Sequence, residues 1–117
     1  MKFKFEKLII WQKAMDFGEV VYKLSAKFPH KEIYNLSSQI NRAVDSIALN
    51  ISEGAIGQSN PEQAKFMGYS IRSLAEVVTC LHKALRRKYI SEEEFSINYE
   101  TSYNIINMMI AFKKNIK

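Results

Sequence analysis

The chain has 117 residues, of which 47% are hydrophobic and 12% aromatic, and it carries a formal charge of +5. That length fits one domain with a single core, and that composition excludes intrinsic disorder. Four glycines and two prolines leave little material for turns and favour few, long elements, while the lone cysteine, Cys80, excludes an internal disulfide and a cysteine-based zinc site.

Residues 1–9 read as a short extended lead, with Phe3, Phe5 and Leu8 free to tuck onto the body and Lys2, Lys4 and Lys7 outside. The apolar run there is too short for a secretory leader, and no stretch approaches the ~18 apolar residues of a membrane span. The expectation is a cytoplasmic protein without membrane contact. A first helix is predicted over residues 10–27, where Trp11, Ala14, Gly18, Val21 and Leu24 recur at three- and four-residue steps and Met15, Phe17 and Val20 widen the stripe. Phe28-Pro29-His30 ends it, because the residue before proline avoids helical angles.

The second helix, over residues 33–54, has the longest clean period. At ~100° per residue, Leu36, Ile40, Ala43, Val44, Ile47, Ile51 and Gly54 share an arc of roughly 100°, a core-facing stripe. Beside it runs a polar strip of Gln39, Arg42, Ser46, Asn50 and Glu53. An exposed flank is usually filled with strong helix formers, so this strip reads either as a solvated flank or as a face that hydrogen-bonds to another helix, a second subunit or a ligand. Gly54 and Gly57 fit a helix stop before the loop at 55–60.

Asn60-Pro61-Glu62 reads as a cap, a first-position proline and a first-turn acid, opening a third helix over residues 61–88. Met67, Ile71, Leu74, Val78, Leu81 and Leu85 form a heptad seam. A second strip, Ser70, Ser73, Val77, Cys80 and Ala84, is mostly small and lets another helix approach closely. Ser91-Glu92-Glu93-Glu94 is a capping box for a fourth helix over residues 92–115. Its acids suit the positive end of the helix dipole, and Lys113, Lys114 and Lys117 suit the other. Phe95, Tyr99, Tyr103, Ile106, Met109, Ile110 and Phe112 give it a broad apolar face. Four long helices on short turns predict an all-α, antiparallel up-down-up-down four-helix bundle occupying the whole chain as one domain.

Several ordered motifs carry a resemblance. They are Leu8-x-x-Trp11-Gln12-x-Ala14, then Phe28-Pro29-x-x-Glu32-x-Tyr34-x-Leu36-x-x-Gln39-Ile40-x-Arg42-Ala43, then Ser46-Ile47-x-x-Asn50-Ile51-x-Glu53-Gly54 and Ser73-Leu74-x-Glu76. Together, over nearly the whole chain, they resemble the bacterial four-helix bundle proteins encoded within 23S rRNA intervening sequences. The resemblance implies a ring-like homopentamer. It also implies kinship with the accessory variability determinant proteins of diversity-generating retroelements, which are basic, bind nucleic acid and partner a reverse transcriptase. The sequence departs from the pattern at Arg72, where the family usually has glycine before the serine.

No catalytic set stands out. His30 adjoins a loop proline, and His82 lies in the third helix without a metal-ligand spacing. Cys80 falls in the small strip, a packing position. Gly54-x-x-Gly57 follows a helix rather than a strand and is no phosphate cradle. Glu53 and Glu76 could pair across two helices, but di-iron bundles need Glu-x-x-His motifs, which this chain lacks. The chain is therefore read as a non-enzyme with no cofactor and no metal. With the family in view, Gln39, Arg42, Ser46, Asn50, Glu53 and Glu76 are the candidate polar network or subunit interface; the alternative is a ligand pocket.

Charge is uneven. Residues 55–88 hold six cations and two acids. Lys65, Arg72, Lys83 and Arg86 lie within roughly 60° opposite the core seam, and Arg87 and Lys88 thicken the end, a line of about 31 Å from Lys65 to Arg86. Those six are the candidate nucleic-acid-binding residues, against the plainer reading of a solvated face. With no aromatic stacking platform evident in the sequence, the expected contacts are to the backbone with little base specificity. Two functions follow: a homo-oligomer that holds structured RNA or an RNA–protein complex, or a scaffold that docks a partner enzyme without touching nucleic acid.

Overall fold

In the computed structural model, which describes residues 1–57 and 59–116, the chain forms four long helices: α1 (Ile9–Ser25), α2 (Leu36–Ile56), α3 (Asn60–Arg86) and α4 (Glu92–Lys114). Gln58 of the expected loop and Lys117 of the expected basic end lie outside the described residues. Two short 3-10 turns, Lys4–Lys7 and His30–Glu32, precede α1 and α2, and no strand occurs among the described residues. The lead is thus partly helical, with Phe5 set edge-on against Trp11 at 5.4 Å.

Four pairs of helices touch: α1 with α2, α2 with α3, α3 with α4, and α1 with α4. The diagonal pairs do not approach, so the helices enclose one core in an arrangement compatible with a four-helix bundle. The α2–α3 contact is the most extensive and the α1–α4 contact the slightest. Phe17, Leu36, Ile40, Ile47, Ile51, Met67, Leu74, Leu81 and Met109 are sealed inside, the class of side chain whose burial drives folding.

The ends of the helices show how side chains override simple punctuation. Helix α2 starts at Leu36, later than expected, because the Glu32 carboxylate in the preceding turn accepts from the Leu36 amide (3.3 Å) and from Asn35 Nδ2 (3.0 Å). It runs through Gly54 rather than stopping there. Gly54 is a close-approach residue: a Cβ on it would lie 2.9 Å from Phe66 Cβ and 3.2 Å from the Gln63 carbonyl. Ser59, not Asn60, caps α3, its Oγ accepting from the Glu62 amide at 3.2 Å. The Ser91–Glu94 capping box forms in both directions.

Helix α3 ends in a Schellman motif. The Tyr89 amide donates to the Ala84 carbonyl (2.9 Å) and the Lys88 amide to that of Leu85 (3.0 Å). Lys88 holds the left-handed position with φ 63°, which glycine usually fills.

Two expected stripes shift. On α1, Met15 and Val20 are exposed rather than packed. On α3, Ile71, Val78 and Leu85 are only half-buried, whereas Ser70, Ser73, Val77, Cys80 and Ala84 are all buried. The small strip is the tighter face because α2 lies against it, close enough for Ser70 Oγ to donate to the Ile47 carbonyl at 2.8 Å.

Candidate functional site

The polar strip of α2 and the face of α3 opposite it enclose an open groove of about 690 Å³, lined by Gln39, Arg42, Ser46, Ser73, Glu76, Thr79, Cys80 and Lys83 among others. A directed hydrogen-bond chain reaches its wall at Ser46 and Ser73. Asn50 Nδ2 donates to Ser46 Oγ (2.9 Å) and to the Ser46 carbonyl (2.8 Å). The two hydroxyls of Ser46 and Ser73 lie 2.8 Å apart. Ser73 spends its proton on the Tyr69 carbonyl at 3.0 Å, so Ser46 must donate to Ser73.

Of the six candidate residues for a polar network or subunit interface, Ser46 and Asn50 take part in this chain of bonds within the subunit. Gln39, Arg42, Glu53 and Glu76 are exposed, and no ion pair joins Arg42 to either acid among the described residues. Glu53 does not line the groove. Exposed on the single subunit, these groups carry there none of the desolvation cost of a buried unpaired charge. Lys83 belongs to both sets, since it lies on the basic line and also on the wall of the groove.

Chemically the groove offers cations, one carboxylate, hydroxyls and one thiol. Cys80 is buried, and that burial pushes its thiol above the ordinary value of 9.0, with Lys83 pulling it down and Glu76 pushing it up more weakly. No group of three or more His, Cys, Asp or Glu that could hold a metal occurs among the described residues. No helix there is long and apolar enough to cross a membrane.

Along the outside of α3, Lys65, Arg72, Lys83 and Arg86 are exposed, and none has an ion-pair partner among the described residues. Lys65 Nζ sits 5.7 Å from the Phe66 ring centroid, within cation–π range. Arg72 takes solvent while Ser73 makes the contact with α2, so the bulky cation leaves the packing intact. Lys88 is exposed; Arg87 is committed differently, with Nη1 3.2 Å from Glu32 Oε2.

Glu32 is the functional-looking group that sequence reasoning left without a role. Its carboxylate is buried and accepts from Arg87, from the Tyr89 hydroxyl (2.6 Å), from Asn35 and from the Leu36 amide. The Tyr89 hydrogen bond, chiefly, holds it below the ordinary 4.5, against the upward push of burial. This hub locks the turn before α2 to the α3–α4 connection. Its motif signal was Phe28-Pro29-x-x-Glu32, but its partners lie 55 and 57 residues away.

The α3–α4 seam also differs from expectation. His82 of α3 lies edge-on to Phe95 (4.9 Å) and Tyr99 (6.2 Å) of α4, and Phe95 and Tyr99 are 5.6 Å apart. An aromatic cluster therefore lies between α3 and α4 at His82, the residue before Lys83 of the basic line. The wheel of either helix alone hides this, because the cluster forms only across two helices.

The family model described as 23S rRNA-intervening sequence protein matches residues 6–111. Among solved structures, a protein with unknown function from the S23 ribosomal protein family of Bacteroides thetaiotaomicron is similar, with a TM-score of 0.85 and 22% identity over 92% of this chain and 100% of that one. At that identity the likeness carries the fold. No curated protein matches.

Proposed function

This chain belongs to the 23S rRNA-intervening sequence protein family, and from that premise we propose that it is a non-enzymatic, homo-oligomeric RNA-binding bundle acting in the cytoplasm. It holds structured RNA, or an RNA–protein complex, through the basic face of α3. The observation that carries this reading is the line of Lys65, Arg72, Lys83 and Arg86, exposed and free of ion pairs among the described residues. Lys88 extends the line, and Arg87 adds its half-exposed edge beside Glu32. Cations left unpaired by their own fold are the ones available to displace counterions from phosphates.

The bundle is up-down-up-down and antiparallel. Supporting this, contacts between α2 and α3 pair Ser46 with Ser73, Ile47 with Ser70 and Gly54 with Gln63, rising on one helix as they fall on the other. The oligomer is a ring of five, as in the family resemblance. Its subunit contact uses the α1–α2 face, where Met15 and Leu49 border a groove of about 490 Å³ with Phe5, Trp11 and Ala48. Tyr22 and Ile56, both 64% exposed, continue that apolar side, each about two turns beyond Met15 and Leu49 on its own helix. Repeating the basic line around a ring multiplies avidity without new contacts.

A salt series of electrophoretic shifts with a structured RNA, on protein whose mass is followed by light scattering, tests the reading. Expected is a steep loss of affinity with salt, with a shallower slope in the Lys65→Gln/Arg72→Gln/Lys83→Gln/Arg86→Gln variant. The mass should stay near about 68 kDa for five 13.6 kDa copies. An oligomer that binds no RNA even at low salt overturns it in favour of a scaffold docking a partner protein.

A further inference from the structure

We propose that the seam between α3 and α4 stacks the bases of unpaired RNA, so that the substrate face reads single-stranded segments rather than duplex. This rests on the RNA-binding reading above and names its substrate class. The seam is a groove of about 330 Å³ with an almost wholly apolar lining: Leu74, Val78 and Ile106 beneath, Ala75, Tyr99 and Tyr103 along its edges.

Tyr99 and Tyr103 keep 43% and 59% of their surface exposed. One turn apart on α4, they stand about 6 Å from each other along the axis. Neither hydroxyl has a hydrogen-bond partner among the described residues, and Tyr99 is braced from behind by Phe95 and His82. An aromatic ring held by its neighbours loses little entropy on stacking. The α3 rim beside the rings is low, because Ala75 and Thr79 fill the positions between the cations.

Charge complementarity commits the occupant. Arg72 lies three residues before Ala75, and Arg86 four residues after His82, so cations without an ion-pair partner among the described residues stand at both ends of the seam. They are about 21 Å apart. Lys113 of α4 joins the Arg72 end, its Nζ 3.5 Å from where a Cβ on Gly68 would be. Glu76 lines the α2–α3 groove, and neither it nor Glu100 lines the seam. Cations that track a backbone on either side of exposed rings match single-stranded nucleic acid, whose bases present free faces; a duplex keeps those faces inside its stack.

The test measures anisotropy of a short labelled uridine homopolymer and of an RNA duplex of equal length, using the 117-residue chain. Tyr99→Leu and Tyr103→Leu keep the groove covered but remove the ring faces. Each is expected to weaken single-strand binding by about fivefold or more, leaving duplex binding and oligomer mass unchanged. Tyr99→Phe and Tyr103→Phe should bind as the parent does. If no RNA of either form binds, the RNA-binding reading itself fails. If RNA binds and the Leu variants hold the single strand as tightly as the parent, the cations act alone and the stacking proposal is overturned. A fall in oligomer mass in the Leu variants overturns it too, since the face is then covered by a second copy.

Discussion

The Tyr89 hydroxyl donates a 2.6 Å hydrogen bond to Glu32 Oε2, joining the segment after α3 to the turn before α2 across 57 residues of chain. Glu32 is held below its ordinary value, chiefly by that bond, and Tyr89 is raised above 10.0 by the same bond. A carboxylate lowered in the fold adds stability that is present above pH 4.5 and lost as pH falls through the lowered value. A phenol raised in the fold adds stability that is present below pH 10.0 and lost as pH rises through the raised value. Glu94, lowered by its bond from Lys27 and by the Ser91 amide, adds to the acid side. Glu32→Gln is expected to lower the Tm by several degrees at neutral pH and to flatten both limbs of a Tm–pH profile. An unaltered profile would mean that the bond contributes nothing.

Lys88 occupies the left-handed residue of the Schellman motif at φ 63°. A side chain there carries a steric cost of roughly 1 kcal/mol that glycine avoids. Lys88→Gly is therefore expected to stabilise the fold by about 0.5–1 kcal/mol in urea unfolding. The change also removes one cation, so its effect on RNA affinity reads the contribution of Lys88 separately from the fold.

How far the sequence reaches differs by element. The Ser91 box on α4 and the buried stripe of α2 were legible because they depend on neighbours three and four residues away. The end of α2 was legible to within a turn, since Gly57 is its cap residue, but Gly54 lies inside the helix because glycine serves two purposes. A stop and a close approach look alike in sequence, and only the Phe66 side chain of α3 tells them apart. The basic line was legible as a periodicity on one helix, whereas the His82–Phe95–Tyr99 cluster and the Glu32 hub depend on contacts between elements. In the polar strip of α2, Ser46 and Asn50 have side-chain hydrogen-bond partners, whereas Gln39, Arg42 and Glu53 have none among the described residues. The helix rotates those longer side chains into solvent, and no pattern of residue types announces that rotation.

Cys80 supplies a direct check on whether the groove holds nucleophilic chemistry. Its thiol is buried and, chiefly by that burial, titrates above the ordinary 9.0. The thiolate is the reactive form, so the native protein should react with a disulfide reagent at pH 8 far more slowly than the urea-unfolded chain, and slowly compared with free cysteine. Rapid native labelling would reveal an accessible thiolate and reopen the enzymatic reading.

Gly54 and Gly68 lie on helices in contact and predict opposite outcomes for the same substitution. In a helix interior, alanine is favoured over glycine by about 1 kcal/mol. At Gly68 the added methyl would meet only the far end of the Lys113 side chain at 3.5 Å, which is ordinary contact. Gly68→Ala is accordingly expected to gain about 1 kcal/mol. At Gly54 the methyl would sit 2.9 Å from Phe66 Cβ and 3.2 Å from the Gln63 carbonyl, atoms that α3 holds in place. Gly54→Ala must push α3 outward, straining the Ser46–Ser73 and Ser70–Ile47 bonds that tie the two helices together. Overpacking of this kind costs about 1–3 kcal/mol and outweighs the propensity gain. Urea unfolding of both variants decides the point: a stabilised Gly54→Ala would show that the α2–α3 contact yields to a methyl group, and that close approach is not why glycine stands there.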